Sequence, residues 1–302
     1  MLDCIHLAIY RPRDAEIPEI ISTTLLNYRN GARRSAPCRF KKKEMCVCVR
    51  SGTPRYRGCT EKIVKNAIKE ASMYAKYNVD GILIENMHDI PYVRQRDLSP
   101  EITTMMTRIC VEVRKVVPQN IACGVQILAG CNKEAIAVAK AAELQFIRAE
   151  GFVFSHMADE GFIDANAGTL LRYRRQIDAD NILIFPDVKK KHSSHAITSD
   201  VSLLETVKAA EFFLADGVIL TGNATGEEVN VRDLSEVREC VVARLPLLIG
   251  SGVTLDNVDN YANVADALIV GSHLKTAGRW ENSPDPERVQ AFVGHLKGQQ
   301  RL

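Results

Sequence analysis

Residues 246–272 read PLLIGSGVTLDNVDNYANVADALIVGS. Two short apolar runs, Pro246–Ile249 and Ala267–Val270, each lead into a glycine and a serine, with a segment of helical length between them. Apolar runs of this length without polar alternation fit strands buried on both faces, as in a parallel sheet whose crossovers are helices. Towards the N-terminus the same unit recurs. Runs at Met45–Val49, Gly81–Glu85, Ala122–Leu128, Phe146–Ala149, Asn181–Phe185 and Gly217–Leu220 bring the candidate strands to eight. Between them lie helical stripes, such as Ile63, Ala67, Ala71 and Tyr74, or Leu203, Val207, Ala210 and Leu214. Helix starts are marked by Thr60 before Glu61, by Pro100 after Ser99, and by Asp200 before Val201 and Ser202. The expected fold class is α/β, a single (β/α)8 TIM-type barrel over 44–302. A doubly wound open sheet is the competitor, and the Gly-x-Gly-x-x-Gly turn that announces one is absent.

Composition sets the outer bounds. The 302 residues are 46% hydrophobic and 25% charged, as expected of a globular chain with a full-sized core. No apolar run reaches the roughly 18 residues of a transmembrane segment. The net charge of +2 gives no case for a nucleic-acid partner. Nine cysteines at irregular spacing, among them Cys46, Cys48, Cys110, Cys123 and Cys240, read as buried reduced thiols of an intracellular protein, in the cytoplasm or a mitochondrion. Residues 1–43 differ from the rest, with nine basic and four acidic side chains. From Ile20 to Lys43 there are seven basic residues and no acid, which reads as a poorly structured or organelle-targeting extension outside the core. Asp3, Asp14, Glu16 and Glu19 run against the targeting pattern.

In a TIM-type barrel the reactive groups sit just past the carboxyl ends of the strands. Gly250, Ser251 and Gly252 follow the seventh expected strand, and Gly271 and Ser272 the eighth. Glycine there lets backbone N–H groups approach an anion, and a short helix over Ser272–Thr276 would add its positive end, so these five are the expected phosphate-binding residues. The alternative is that the glycines only turn tight loops. After the fifth strand come Asp187 and Lys189, expected to face the mouth if the extended geometry continues. A carboxylate there suits a base, and a lysine suits neutralising a phosphate or enolate or forming an imine. A solvated basic loop, Lys189–Lys191, is the plainer reading.

Glu85 ends the second strand, where it either pairs with Arg148 or meets substrate; both join Asp187 and Lys189 as candidate catalytic residues. The long loop Gly151–Asp164 reads as a lid, with His156, Asp159, Glu160 and Asp164 on it and Thr221 and Gly222 beside it. His192 and His195 lack a third histidine nearby, so no metal site is expected; a divalent ion is the minor alternative, and no other cofactor is called for.

Several of these segments together resemble the BtpA family, which includes the SgcQ-like proteins: DGILIEN (80–86), DIPY (89–92), FIRAE (146–150), DEGFID (159–164), LLRYR (170–174), DVKKKH (187–192), GSGVT (250–254) and VGSHLK (270–275). The resemblance implies a barrel of the ribulose-phosphate-binding group. The family takes its name from photosystem I biogenesis, and other members accompany sugar-metabolism genes. One departure stands out. Met45–Pro54 keeps the Gly-Thr-Pro-Arg-Tyr continuation through Tyr56 but lacks the histidine that the family usually carries on its first strand. The leading expectation is an enzyme acting on a small phosphorylated metabolite, a sugar phosphate, with aldolase-, epimerase- or isomerase-type chemistry. The competing one is a non-catalytic assembly or stability factor. A homo-oligomer is compatible with either.

Overall fold

A computed structural model describes residues 4–10, 53–54, 56, 59–222, 228–240 and 245–299. Seven parallel strands form most of a closed barrel: β2 (Gly81–Glu85), β3 (Ala122–Gln126), β4 (Phe146–Ala149), β7 (Leu183–Val188), β9 (Val218–Leu220), β10 (Leu247–Ile249) and β11 (Ala267–Val270), neighbours in that order. The remaining stave is β1 (Cys4–Tyr10), antiparallel to both β11 and β2, with Leu7 opposite Val270 on one side and Ile82 on the other. Here the structure departs from expectation. Met45–Val49, the expected first strand, lies outside the described residues, and the gap is closed by a run from the segment read as an extension. A barrel seam left open would expose two rows of unpaired backbone groups, and Cys-Ile-His-Leu-Ala-Ile-Tyr is apolar enough to close it.

The helices cover the barrel as the stripes predict. In α1 (Thr60–Lys76) Ile63, Ala67, Ala71 and Tyr74 are all buried. Further round lie α2 (Pro100–Val116), α3 (Asn132–Ala141), α4 (Ala167–Gln176), α5 (Leu203–Phe212), α6 (Val231–Cys240), α7 (Val258–Ala262) and α8 (Pro286–Gln299). Pro100 opens α2 as expected. The N-cap of α5 is Ser202 rather than Asp200, because Ser202 and Glu205 form a reciprocal capping box. The stripe of α5 also stops early: Leu214 lies past the helix at φ 63° and is 69% exposed. Cys110, Cys123 and Cys131 are buried, whereas Cys240, the last residue of α6, is exposed. No helix among the described residues is long and apolar enough to cross a membrane.

Alternation along the strands splits the core in two. One set of side chains packs outward under the helices. The other fills the barrel with Leu83, Phe146, Ile219, Leu248 and Ile269, against Phe185. Gly124 makes room for Phe146, whose ring atoms would lie 2.2–2.5 Å from a Cβ at that position. This plug closes the floor of the barrel, so whatever stands one step higher on each strand faces the mouth.

Candidate active site

Two residues along from the plug, the strands carry polar or absent side chains. Glu85 follows Leu83, Arg148 follows Phe146, Asp187 follows Phe185, Gly250 follows Leu248 and Gly271 follows Ile269, a direct consequence of period-two geometry. Arg148, only 4% exposed, lies across the interior. Its Nε donates to both Asp187 oxygens at 3.1 Å, its Nη2 lies 3.1 Å from Asp187 Oδ1, and its Nη1 donates to Glu85 Oε1 at 3.1 Å. The sequence alternative of a Glu85–Arg148 pair is thus what the fold contains. Gly250 permits this: a Cβ there would meet Ile219 Cγ2 at 2.4 Å and Arg148 Nη2 at 3.2 Å.

Burial works against the Arg148 charge, but the Asp187 and Glu85 carboxylates outweigh it and hold the guanidinium above its ordinary value. Burial pushes the Asp187 carboxyl up, with Arg148 opposing. Beside them Glu150 accepts from Gln126 Nε2 at 3.1 Å and from the Gly130 N–H at 2.9 Å, and pairs with Lys190 Nζ at 3.3 Å. Burial lowers Lys190, yet Glu150 and Glu160 turn the balance and raise it. Lys191 goes the other way, lowered to about 8 by burial and then by Arg148, against the pull of Glu85, Asp187 and Glu150. Its backbone N–H is fixed by Thr221 Oγ1 at 3.1 Å.

A cavity of about 640 Å³ opens above this layer. The Arg148 cluster forms its base, and Gly250–Thr254 and Gly271–His273 form one wall. That wall is stiff. Ser251 Oγ accepts from the Gly222 N–H at 2.9 Å, while Asn257 accepts from the Thr254 N–H at 2.8 Å and donates to the Gly252 carbonyl at 2.9 Å. Gly252 sits at φ 73°, which favours glycine. The expected helix over Ser272–Thr276 is instead two 3₁₀ turns, Ser272–Leu274 and Thr276–Gly278, too short to supply a helix end. A cation stands nearby in its place: Arg288 of α8 lines the cavity and donates to the His273 carbonyl at 2.7 Å.

The expected lid is a small antiparallel sheet, with β5 (His156–Ala158) paired to β6 (Gly161–Ile163) and to β8 (Ser193–Ser194). Asp159 and Glu160, at its turn, line the cavity. His156 and Asp164 do not. His156 is buried beneath the sheet, its ring centroid 5.4 Å from that of His195, and is lowered to about 4 by burial, Lys190 and His195. Asp164 is exposed past the end of β6.

Lys189 is the main correction. The strand ends at Val188, Lys189 turns to φ 49°, and its ammonium donates to the Thr198 and Val201 carbonyls at 3.2 and 2.5 Å, away from the mouth. Lys191 faces the cavity instead. Thr221 and Gly222 act as supports through the two bonds already given, and Thr225 and Gly226 lie outside the described residues. Among the described residues, no group of three or more His, Cys, Asp or Glu side chains is placed to hold a metal ion. Gln126 and Glu150 could have been found by strand parity; Lys191 and Arg288 could not, since a left-handed turn and a distant helix bring them in.

The profile of the BtpA family matches residues 47–298, nearly the whole barrel. The chain belongs to the BtpA family. A Caenorhabditis elegans protein described as uncharacterized and mitochondrial is 46% identical over 248 residues, 81% of this chain and 88% of that one. The Synechocystis photosystem I biogenesis protein BtpA is 35% identical over 239 residues, 79% of this chain and 81% of its own length. Among solved structures, orotidine 5′-phosphate decarboxylase from Pyrococcus horikoshii superimposes with a TM-score of 0.52 at 13% identity, covering 78% of this chain and 95% of that one. Phosphoribosyl anthranilate isomerase from Thermus thermophilus gives 0.50 at 12%, covering 77% and 94%. At such identities the likeness establishes the TIM-type fold alone.

The family segments divide by role in this BtpA-family barrel. Glu85, Arg148, Glu150, Asp187 and Lys191 reach the cavity, whereas Lys275 pairs at 3.1 Å with Glu70 of α1 and Arg174 clamps Asp216 at 2.6 Å.

Proposed function

We propose that this protein is an enzyme that moves a proton beside the carbonyl of a small phosphorylated compound, a sugar phosphate in the simplest case. The observation that carries this reading is the cavity in which the glycine-lined wall, with Arg288 close by, faces the Arg148–Asp187–Glu85 cluster and Lys191. The loops after β10 and β11 hold the phosphate through backbone N–H groups. The Asp187 carboxylate takes the C–H proton, and the electron pair moves onto the carbonyl oxygen, where the Arg148 and Lys191 cations stabilise the oxyanion. Delivery of a proton to the opposite face of the same carbon gives epimerisation, and protonation of the former carbonyl carbon with loss of the neighbouring hydroxyl proton gives isomerisation. In the aldolase variant the base instead takes the proton of the hydroxyl β to the carbonyl, a new carbonyl forms there, and the electron pair of the breaking C–C bond moves onto the first carbonyl as the same oxyanion. Lys191 takes the part that the sequence suggested for Lys189.

The test is thermal denaturation of the full chain with sugar phosphates, the matching free sugars and inorganic phosphate. A ligand at 100 times its Kd adds about 2.7 kcal/mol. Stabilisation by the phosphorylated compounds, lost in Ser272→Asp, is the expected result, and none with any of them overturns the reading. A second reading, an assembly factor, is favoured by one surface feature: Phe212, Phe213 and Leu214 are 81%, 45% and 69% exposed at the end of α5. It predicts no ligand effect and a partner lost on Phe212→Ser. Of the two expected compartments, the label of the Caenorhabditis elegans relative supports the mitochondrion.

A further inference from the structure

The cavity continues past the polar cluster to a wall of different character. Met87, Ile90, Pro91 and Tyr92 from the loop after β2, Leu128 from the loop after β3 and Trp280 from the segment after β11 line it. In the barrel order β3 stands opposite β10, so Leu128 and its neighbours face the Gly250–Thr254 loop across the mouth. The wall is apolar, whereas the phosphate and the hydroxyl-rich edge of a sugar phosphate are polar and suit the opposite side of the cavity. A ligand confined to the phosphate and the Arg148 cluster would leave it bare.

Both halves of this wall are fixed in place by their own hydrogen bonds. Tyr92 Oη donates to the Met87 carbonyl at 2.6 Å, closing the β2 loop. Trp280 lies on a loop whose two ends are joined. The Thr276 N–H and hydroxyl donate to the Ser283 carbonyl at 2.9 and 3.1 Å, and Asn282 Nδ2 donates to the Thr276 carbonyl at 2.7 Å. The indole then packs against the His88 ring, centroids 5.2 Å apart and planes at 32°. A large aromatic held this way on the rim of a cavity is a preformed platform for a flat group.

We infer that the ligand is a phosphate ester carrying a planar unsaturated ring, with the phosphate at the Gly250 and Gly271 loops and the ring against Trp280 and Leu128. The inference rests on the proposed phosphate site and extends it to the other end of the ligand.

Trp280 is the sole tryptophan of the chain, so emission excited at the red edge, where tyrosine does not absorb, reports this wall alone. The full-length protein is titrated with ribose 5-phosphate, with nucleoside 5′-monophosphates, with phenyl phosphate and with the unphosphorylated nucleosides, following Trp280 emission and thermal denaturation together. The expected result is that ring-bearing phosphates change the emission and bind about tenfold or more tighter than ribose 5-phosphate, as stacking of a flat ring on an aromatic allows. Trp280→Leu, followed by thermal denaturation and calorimetry, should erase that preference and bring the ring-bearing compounds down to the affinity of ribose 5-phosphate. Equal affinity for ribose 5-phosphate and the ring-bearing phosphates overturns the inference and leaves the phosphate site standing. Nucleosides that bind as well as their phosphates overturn the phosphate site and retain the ring wall. If no compound binds, both fall.

Discussion

Two buried ion-pair sites in this barrel look alike in their chemistry and differ in their surroundings. Lys275 and Glu70 meet at 3.1 Å with side chains 1% and 2% exposed, between the segment after β11 and helix α1. Arg148, Glu85 and Asp187 meet at 3.1 Å and are as deeply enclosed, yet they form the base of a cavity and have Glu150, Lys190 and Lys191 beside them. A closed pair gives the fold only a cross-link, whose Coulomb energy is largely spent on desolvation. A cluster open on one side keeps charges desolvated and oriented where a ligand can use them, the arrangement that favours proton transfer. Removing one partner from each separates the two roles.

The largest effect is expected at Arg148. Arg148→Met takes the guanidinium away from two buried carboxylates, which should cost about 5 kcal/mol in chemical denaturation and sharply reduce the stabilisation given by phosphorylated ligands. Lys275→Met takes the ammonium away from one, and should cost about 3 kcal/mol while the ligand-induced increment persists. In the double variant Glu70→Leu, Lys275→Met, stability should return to near that of the parent, since neither charge is then buried alone. Loss of the ligand increment in the Lys275 variants would place that pair in the site and dissolve the contrast.

The difference between the two sites was only partly legible in the sequence. The strands were, because seven parallel staves buried on both faces leave uninterrupted apolar runs, and parity then carries Glu85, Arg148 and Asp187 to the mouth. Parity fails where a strand ends. Continued alternation would have put Lys189 beside Asp187, but φ 49° at Lys189 turns its ammonium onto two loop carbonyls and brings Lys191 forward. Nothing in Lys-Lys-Lys distinguishes the three. Nor does VGSHLK separate Ser272, on the cavity, from Lys275, paired to a residue about 200 positions away, as the geometry does. The β1 stave is hidden for a related reason: the basic composition of residues 20–43 dominates the N-terminal segment, while strand pairing depends on seven residues near its start.

Lys191 sharpens the comparison at a smaller scale. Its amine is lowered to about 8, so from there up to the ordinary lysine value the folded protein holds fewer protons than the unfolded chain. Stability contributed by this group therefore rises with pH across that interval and is at its minimum below it. Lys191→Met removes the unfavourable charge. It should stabilise the protein at pH 7 by about 1–2 kcal/mol, an advantage that fades towards pH 10.5, while turnover falls. A variant that is destabilised at pH 7 would mean that the ammonium is a net structural cross-link, like Lys275.

His156 gives the smallest effect and the opposite limb. It lies under the lid sheet and is lowered to about 4 by burial, with Lys190 and His195 adding positive charge around it, and its buried Nε2 has no hydrogen-bond partner among the described residues. Between that value and the ordinary histidine value of about 6.5 the unfolded chain takes up a proton that the fold refuses, so stability must fall as pH drops from about 6.5 to about 4 and flatten below. His156→Leu takes no proton. At pH 7 the substitution should be near neutral, because losing the hydrogen bond to the Phe154 backbone is offset by removing a buried nitrogen that has no bond. At pH 5 it should be more stable than the parent by about 1 kcal/mol, visible in urea melts at the two pH values. An unchanged acid limb in the variant would assign that limb to the carboxylates of the mouth, whose protonation would then loosen the Arg148 cluster before the lid.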